Sequence, residues 1–217
     1  MSVPAFLAPR DSRRRTLRRL ATATLAPFAL AAARLAGAQA ARLAATPQDA
    51  EGPFYPRSFP ADTDHDLMRV AGRAATAQGS PLHLTGRVVA TDGTPLAGAT
   101  LELWQCDVHG TYHHVGEGGR QDENFQGYGR AVAAADGSYA FVAMRPVPYG
   151  GRPAHLHFRI TAAGRRTLTT QLYLKGESAE RSMGMFARER DRLEIVPQPA
   201  TGKETGAFAA SYTFVLA

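Results

Sequence analysis

From Leu82 onward the apolar residues come in short runs that favour every second position, and a period of two is the pattern of strands buried on one face. The runs are LHLTGRVVA (82–90), ATLELWQ (99–105), SYAFVAM (138–144), AHLHFRI (154–160), RTLTTQLYL (166–174), RLEIV (192–196) and SYTFVL (211–216). All carry β-branched or aromatic residues, which fit a pleated, half-buried surface. Asp92-Gly93 and Asp136-Gly137 mark turns between them, the first joining its two flanking runs in the manner of a hairpin. Seven short strands separated by turns predict an all-β chain, an antiparallel β-sandwich with little helix. Only residues 177–191 read as a helix, and Gly184 breaks it. A long polar loop spans 107–129, and long loops in compact domains tend to carry function.

The front of the chain reads differently. SRRRTLRR at 12–19 precedes an alanine-rich apolar stretch that ends in Ala38-Gln39-Ala40, the order of a basic region, an apolar region and a small-residue cleavage site. Arg13 and Arg14 resemble the twin-arginine export signal, with Thr16 where a Phe is more usual. Pro27 and Arg34 interrupt the apolar run, which argues against a stable membrane span. The expectation is an export signal over 1–40, an extended Pro- and Gly-rich arm over 41–81 and a sandwich domain over 82–217. The protein would be periplasmic or extracellular, with no membrane contact after cleavage.

Removing residues 1–40 leaves 18 basic and 18 acidic residues, so the net charge of +6 belongs to the leader. The remaining Lys and Arg are scattered among acids, which excludes a nucleic-acid surface. Cys106 is the only cysteine, so no intrachain disulfide forms. In its apolar run it reads as a small core residue.

The chemistry concentrates in YGGRPAHLHF (149–158). In a strand, His155 and His157 share a face while Leu156 and Phe158 take the other. Two converging imidazoles suit zinc, copper or iron and need further ligands. Asp107, Asp122 or Glu123 would complete a two-histidine, one-carboxylate set; Tyr112 and Tyr149 would instead offer phenolates, hard donors that ferric iron binds well. His113 and His114 read as pocket rim or surface, because adjacent side chains in an extended chain diverge.

The chain resembles the intradiol ring-cleavage dioxygenases, over nearly all of residues 46–175. The resemblance rests on TPQDAEGPFYP, LELWQCDVHGTYHH, NFQGYGRAVAAADGSYAF, RPVPYGGRPAHLHF and TTQLYL, in that order. It implies a mononuclear non-haem Fe(III) ligated by Tyr112, Tyr149, His155 and His157, with Tyr149 and His157 matching the axial pair and Tyr112 and His155 the equatorial pair. It implies Arg152 beside the substrate ring, Gln171 near the same pocket, and Tyr149 as a ligand that leaves the metal and takes a proton. Substrates would be a catechol-type diol and O2, and the product a cis,cis-muconate-type dicarboxylate. The short spacing from Tyr149 to His155 departs from some members and shortens the wall beside the iron. The chain lacks the long helical N-terminal segment of the catechol-specific enzymes, which leans the comparison toward the protocatechuate branch. Family members of this size often associate, which leaves room for a homo-oligomer. Two other readings are a transthyretin-like sandwich that binds without catalysis, suggested by TGRVVATDGTPLAGATLELW, and a zinc hydrolase built on the His-x-His pair.

Overall fold

Alternation along the strands becomes two packed sheets. The structure, a computed structural model, describes residues 42–113, 118–176 and 187–217; the segment expected to be an export signal, His114 and most of the helix read over 177–191 lie outside the described residues. The strands are β1 (Pro81–Ala90), β2 (Thr100–Trp104), β3 (Tyr128–Val132), β4 (Ser138–Met144), β5 (His155–Thr161), β6 (Leu168–Leu174), β7 (Glu194–Ile195), β8 (Gln198–Pro199) and β9 (Phe208–Leu216). A single helical turn, α1 (Ala187–Arg190), precedes β7.

One sheet has the order β4-β1-β9-β8, the other β3-β2-β5-β6-β7. The all-β expectation holds, with two differences. β1 runs parallel to β9 and β6 parallel to β7, so both sheets are mixed rather than purely antiparallel. The Asp92-Gly93 turn does not close a hairpin: β1 pairs with β4 and β9, while β2 lies in the other sheet between β3 and β5. Leu84, Val88, Leu101 and Leu103 are all fully buried, and placing β1 and β2 in facing sheets lets both rows enter one core. Phe158 sits at the centre of that core, packing on Phe141 and on Phe214 of the opposite sheet at 6.0 and 5.0 Å.

Leu156, Phe158 and Ile160 of β5 fill the core, so His155 and His157 occupy the outer face of their sheet. An outer face is ordinarily solvated, yet these histidines are 1% and 0% exposed. The arm covers them. It is fastened along its length by Thr46 N–H to Val215 O at 2.9 Å, Asp49 N–H to Thr169 O at 3.0 Å and the Thr170 hydroxyl to Pro47 O at 2.8 Å. Further on, Leu67 and Met68 enter the core itself.

Candidate active site

Strand register builds the floor of the site. Tyr128, Trp104, His157 and Gln171 are direct cross-strand partners in a row over β3, β2, β5 and β6, and His155 faces Tyr173 in the next row. Cross-strand partners on one face bring their side chains into contact. Trp104 stacks on His157 at 5.0 Å and 12°. His155 Nε2 and His157 Nε2 are 3.1 Å apart, so the two rings do converge.

Tyr149 and Arg152 flank a tight turn in which Arg152 N–H donates to Tyr149 O at 2.7 Å. Gly150 and Gly151 between them have φ of 53° and 77°, a left-handed pair that glycine adopts without steric cost. The turn holds Tyr149 over His155, ring centroids 5.4 Å apart, and keeps Arg152 beside it. Tyr112 arrives from the long loop, 5.3 Å from Tyr149 and 6.0 Å from His157. The fold thus brings together all four residues named as donors.

The loop that delivers Tyr112 is tied by Asp107. Its Oδ1 accepts N–H groups of His109 and Thr111 at 2.9 and 3.1 Å, and its Oδ2 accepts Asp122 N–H at 2.8 Å and faces His113 Nε2 at 2.9 Å. Burial alone would raise this carboxyl, but His113 and the three N–H groups outweigh it and hold Asp107 below the usual range. His113 is therefore no rim residue: its ring lies against a fully buried carboxylate, which a surface histidine could not reach. Asp122 accepts from Gln78 and Asn124, and Glu123 pairs with Arg73 near the surface. The three candidate carboxylates are thus occupied in building the loop. Cys106 is buried with Trp104, Tyr112 and Tyr128, as a small core residue.

Arm residues roof the site. Phe54 stacks on Tyr112 at 4.4 Å and 9° and meets Tyr149 edge-on at 5.9 Å. Gly52 lies so close that a Cβ there would come within 3.4 Å of His157 Cε1. Tyr55 donates to Glu102 at 3.0 Å, and Arg159 pairs with Glu51. The arm lies over the site of its own chain, where these contacts anchor it.

Electrostatics suits a cation. Burial lowers His155 to about 4 and holds His157 well below the ordinary histidine value, so both imidazoles are neutral at neutral pH and hold a lone pair. His155 Nδ1 lies 2.6 Å from Pro153 O, which fixes its proton there and frees Nε2. Burial raises both phenols; Tyr112 is raised further by Tyr149, and Tyr149 is partly offset by Tyr112 and Arg152. Only a strongly charged cation would ionise them. Among the described residues no group of three His, Cys, Asp or Glu could hold a metal, so the zinc-type set is not assembled. Two imidazoles and two phenols are the donors present, and they fit ferric iron. Arg152 Nη2 donates to Gln171 Oε1 at 2.8 Å, joining the two residues named for substrate binding. Sequence reasoning missed Trp104, Phe54, Asp49 and Tyr173 as parts of the site. Parity could have found Tyr173, two positions from Gln171 on β6. The open depression bounded by Asp64, His65, Arg130 and Tyr139 shares no residue with this cluster.

The fold is all-β, and the matches place it in a family. Residues 50–217 match the family model described as Dioxygenase. The chain belongs to the intradiol ring-cleavage dioxygenase family. It is 32% identical over 179 residues to catechol 1,2-dioxygenase 1 of Acinetobacter lwoffii, an alignment covering 74% of this chain and 55% of the relative. It is 33% identical over 141 residues to the protocatechuate 3,4-dioxygenase beta chain of Burkholderia cepacia, covering 60% of each. The chain spans about half the length of most of the curated relatives it matches, and the near-equal identities favour neither branch. Among solved structures, the dioxygenase domain of a dioxygenase and carbohydrate-binding protein fusion from Streptomyces sp. SirexAA-E matches with a TM-score of 0.63 at 29% identity, over 80% of this chain and 98% of that one.

Proposed function

We propose that this protein is an iron-dependent intradiol dioxygenase, opening a catecholic ring between its two hydroxylated carbons with O2 to give a cis,cis-muconate-type dicarboxylate. The observation that carries the reading is the meeting of Tyr112, Tyr149, His155 and His157 on one buried sheet face. These four would hold a mononuclear non-haem Fe(III), which when bound supplies a Lewis acid for the diol oxygens. The reaction balances without a reductant, since both oxygen atoms enter the product.

The chain's own groups have separate tasks. Tyr149, half-buried at the rim, would be ionised by the bound cation, and as a phenolate it is placed to receive a diol proton on its oxygen. Arg152 sets a fixed positive charge beside the ring, where negative charge develops as the diol ionises. Trp104 and Phe54 wall the site with apolar surface and exclude water, which strengthens that charge interaction. A sandwich that merely binds would leave this buried donor set without purpose. The reading extends to export through residues 1–40, after which the protein would work outside the cytoplasm; one chain with its arm over its own site needs no partner to complete the donor set.

The test is incubation of the iron-loaded protein with catechol, protocatechuate and hydroxyquinol under 18O2. The reading expects a dicarboxylate carrying two labelled oxygens from at least one diol. No oxygen uptake with any of them, or a semialdehyde from cleavage outside the diol, contradicts it.

A further inference from the structure

A connected line of side chains runs from the arm to Arg152. Asp49 Oδ2 lies 2.7 Å from the Tyr173 hydroxyl, which is 3.0 Å from Gln171 Oε1; that oxygen accepts Arg152 Nη2 at 2.8 Å. Gln171 Nε2 donates to Ala50 O at 2.6 Å, which settles the orientation of the amide and turns Oε1 toward Arg152. Gln171 is fully buried and Tyr173 is 4% exposed, while the Arg190 guanidinium sits 4.4 Å over the Tyr173 ring. The line therefore has little room to rearrange.

Protons are scarcer than acceptors along this line. Tyr173 has one hydroxyl proton and two oxygens in reach, Asp49 Oδ2 and Gln171 Oε1. The carboxylate is the stronger acceptor and takes it. The phenol oxygen then turns lone pairs toward Gln171 Oε1, and two such oxygens 3.0 Å apart repel unless a cation faces both. Arg152 is that cation: it hydrogen-bonds Gln171, and its charge acts on Tyr173 as well.

We propose that Asp49 and Tyr173 are positioning residues for Arg152, with Asp49 drawing the phenol proton away so that Tyr173 and Gln171 present a two-oxygen socket to the guanidinium. The inference rests on the dioxygenase reading for what Arg152 does, not for how it is held. It makes the arm a working part of the site. It also separates charge from shape: Asp49→Asn keeps the shape, but its amide can donate to the Tyr173 oxygen, which sends the phenol proton to Gln171 Oε1 to compete with Arg152.

The test uses the full chain with Asp49→Asn, Tyr173→Phe, Arg152→Lys and the Arg152→Lys/Tyr173→Phe pair. In the metal-free protein, the Arg152 side-chain N–H signals, assigned by their loss in Arg152→Lys, report rotation of the guanidinium by NMR. Wild type should show hindered rotation, and Asp49→Asn and Tyr173→Phe faster rotation than wild type, since the guanidinium keeps at most its bond to Gln171 Oε1. With iron, each should lower kcat about tenfold or more with little change in KM, and the double variant should lose no more than Arg152→Lys alone. Hindered rotation retained in Asp49→Asn, or losses that multiply in the double variant, overturns the proposal. If wild type opens no ring, the dioxygenase reading fails, and the NMR comparison still decides the positioning role.

Discussion

Asp107 gives the loop beneath Tyr112 its shape, and Asp107→Asn isolates what the negative charge contributes. The substituted amide would keep its Oδ1 for the N–H groups of His109 and Thr111, but its nitrogen would face the Asp122 N–H, donor against donor. His113 can switch tautomer and accept from the amide, so the loss falls mainly on one buried N–H plus the charge assistance of the others. That costs about 2–3 kcal/mol, and Asp107→Ala, which strands every donor, about 3–5 kcal/mol. For a chain of this size each kcal/mol lowers Tm by about 2–4 °C. The pH dependence carries the sign of the effect. Asp107 is held below its ordinary range when folded, so the stability due to its charge is complete above about pH 4 and disappears as pH falls through the lowered folded value. Urea unfolding of wild type and Asp107→Asn from about pH 7 to pH 3 should show a gap that is constant near neutrality and narrows in acid. A gap below about 0.5 kcal/mol at pH 7, or one that does not narrow, refutes the reasoning.

Gly151→Ala should cost about 1 kcal/mol, because φ of 77° strains any L side chain even though a Cβ there meets nothing, and by moving the turn it should weaken iron binding more than it lowers Tm. In the metal-free protein His155 is lowered to about 4, so its neutral burial makes stability fall as pH drops from about 6.5 to 4, by roughly 3 kcal/mol; urea titrations of wild type and His155→Gln should show a shallower slope in the variant. Tyr149→Phe keeps the ring packing but removes one phenol, so the visible spectrum of the iron-loaded protein should change and turnover slow, while near-ultraviolet circular dichroism stays native.

Part of the site could be read from local pattern. Period two put His155 and His157 on one face with Leu156 and Phe158 opposite, whereas the full donor set, Arg152 and Gln171 entered only through the family resemblance. Long-range pairing was less legible. β3 was missed because Gly129 interrupts its apolar pattern; a Cβ there would lie 2.4 Å from Asp64 O, so the glycine serves the crossing of the arm rather than the strand. β1 and β2 looked like a hairpin because a turn signal says where the chain bends, not which sheet receives it. The arm carries no strand pattern at all, since it is held by side chains and isolated backbone bonds, so the roof formed by Phe54 and the reach of Asp49 to Tyr173 appear only in three dimensions.

The central claim is that four buried side chains form an iron site open to a diol, and it is tested most directly by the visible absorption spectrum of the iron-loaded protein before and after anaerobic addition of catechol or protocatechuate. The account predicts a red-brown band from tyrosinate on Fe(III) that shifts when the diol binds. A protein that stays colourless after iron reconstitution, or a band indifferent to both diols, contradicts it.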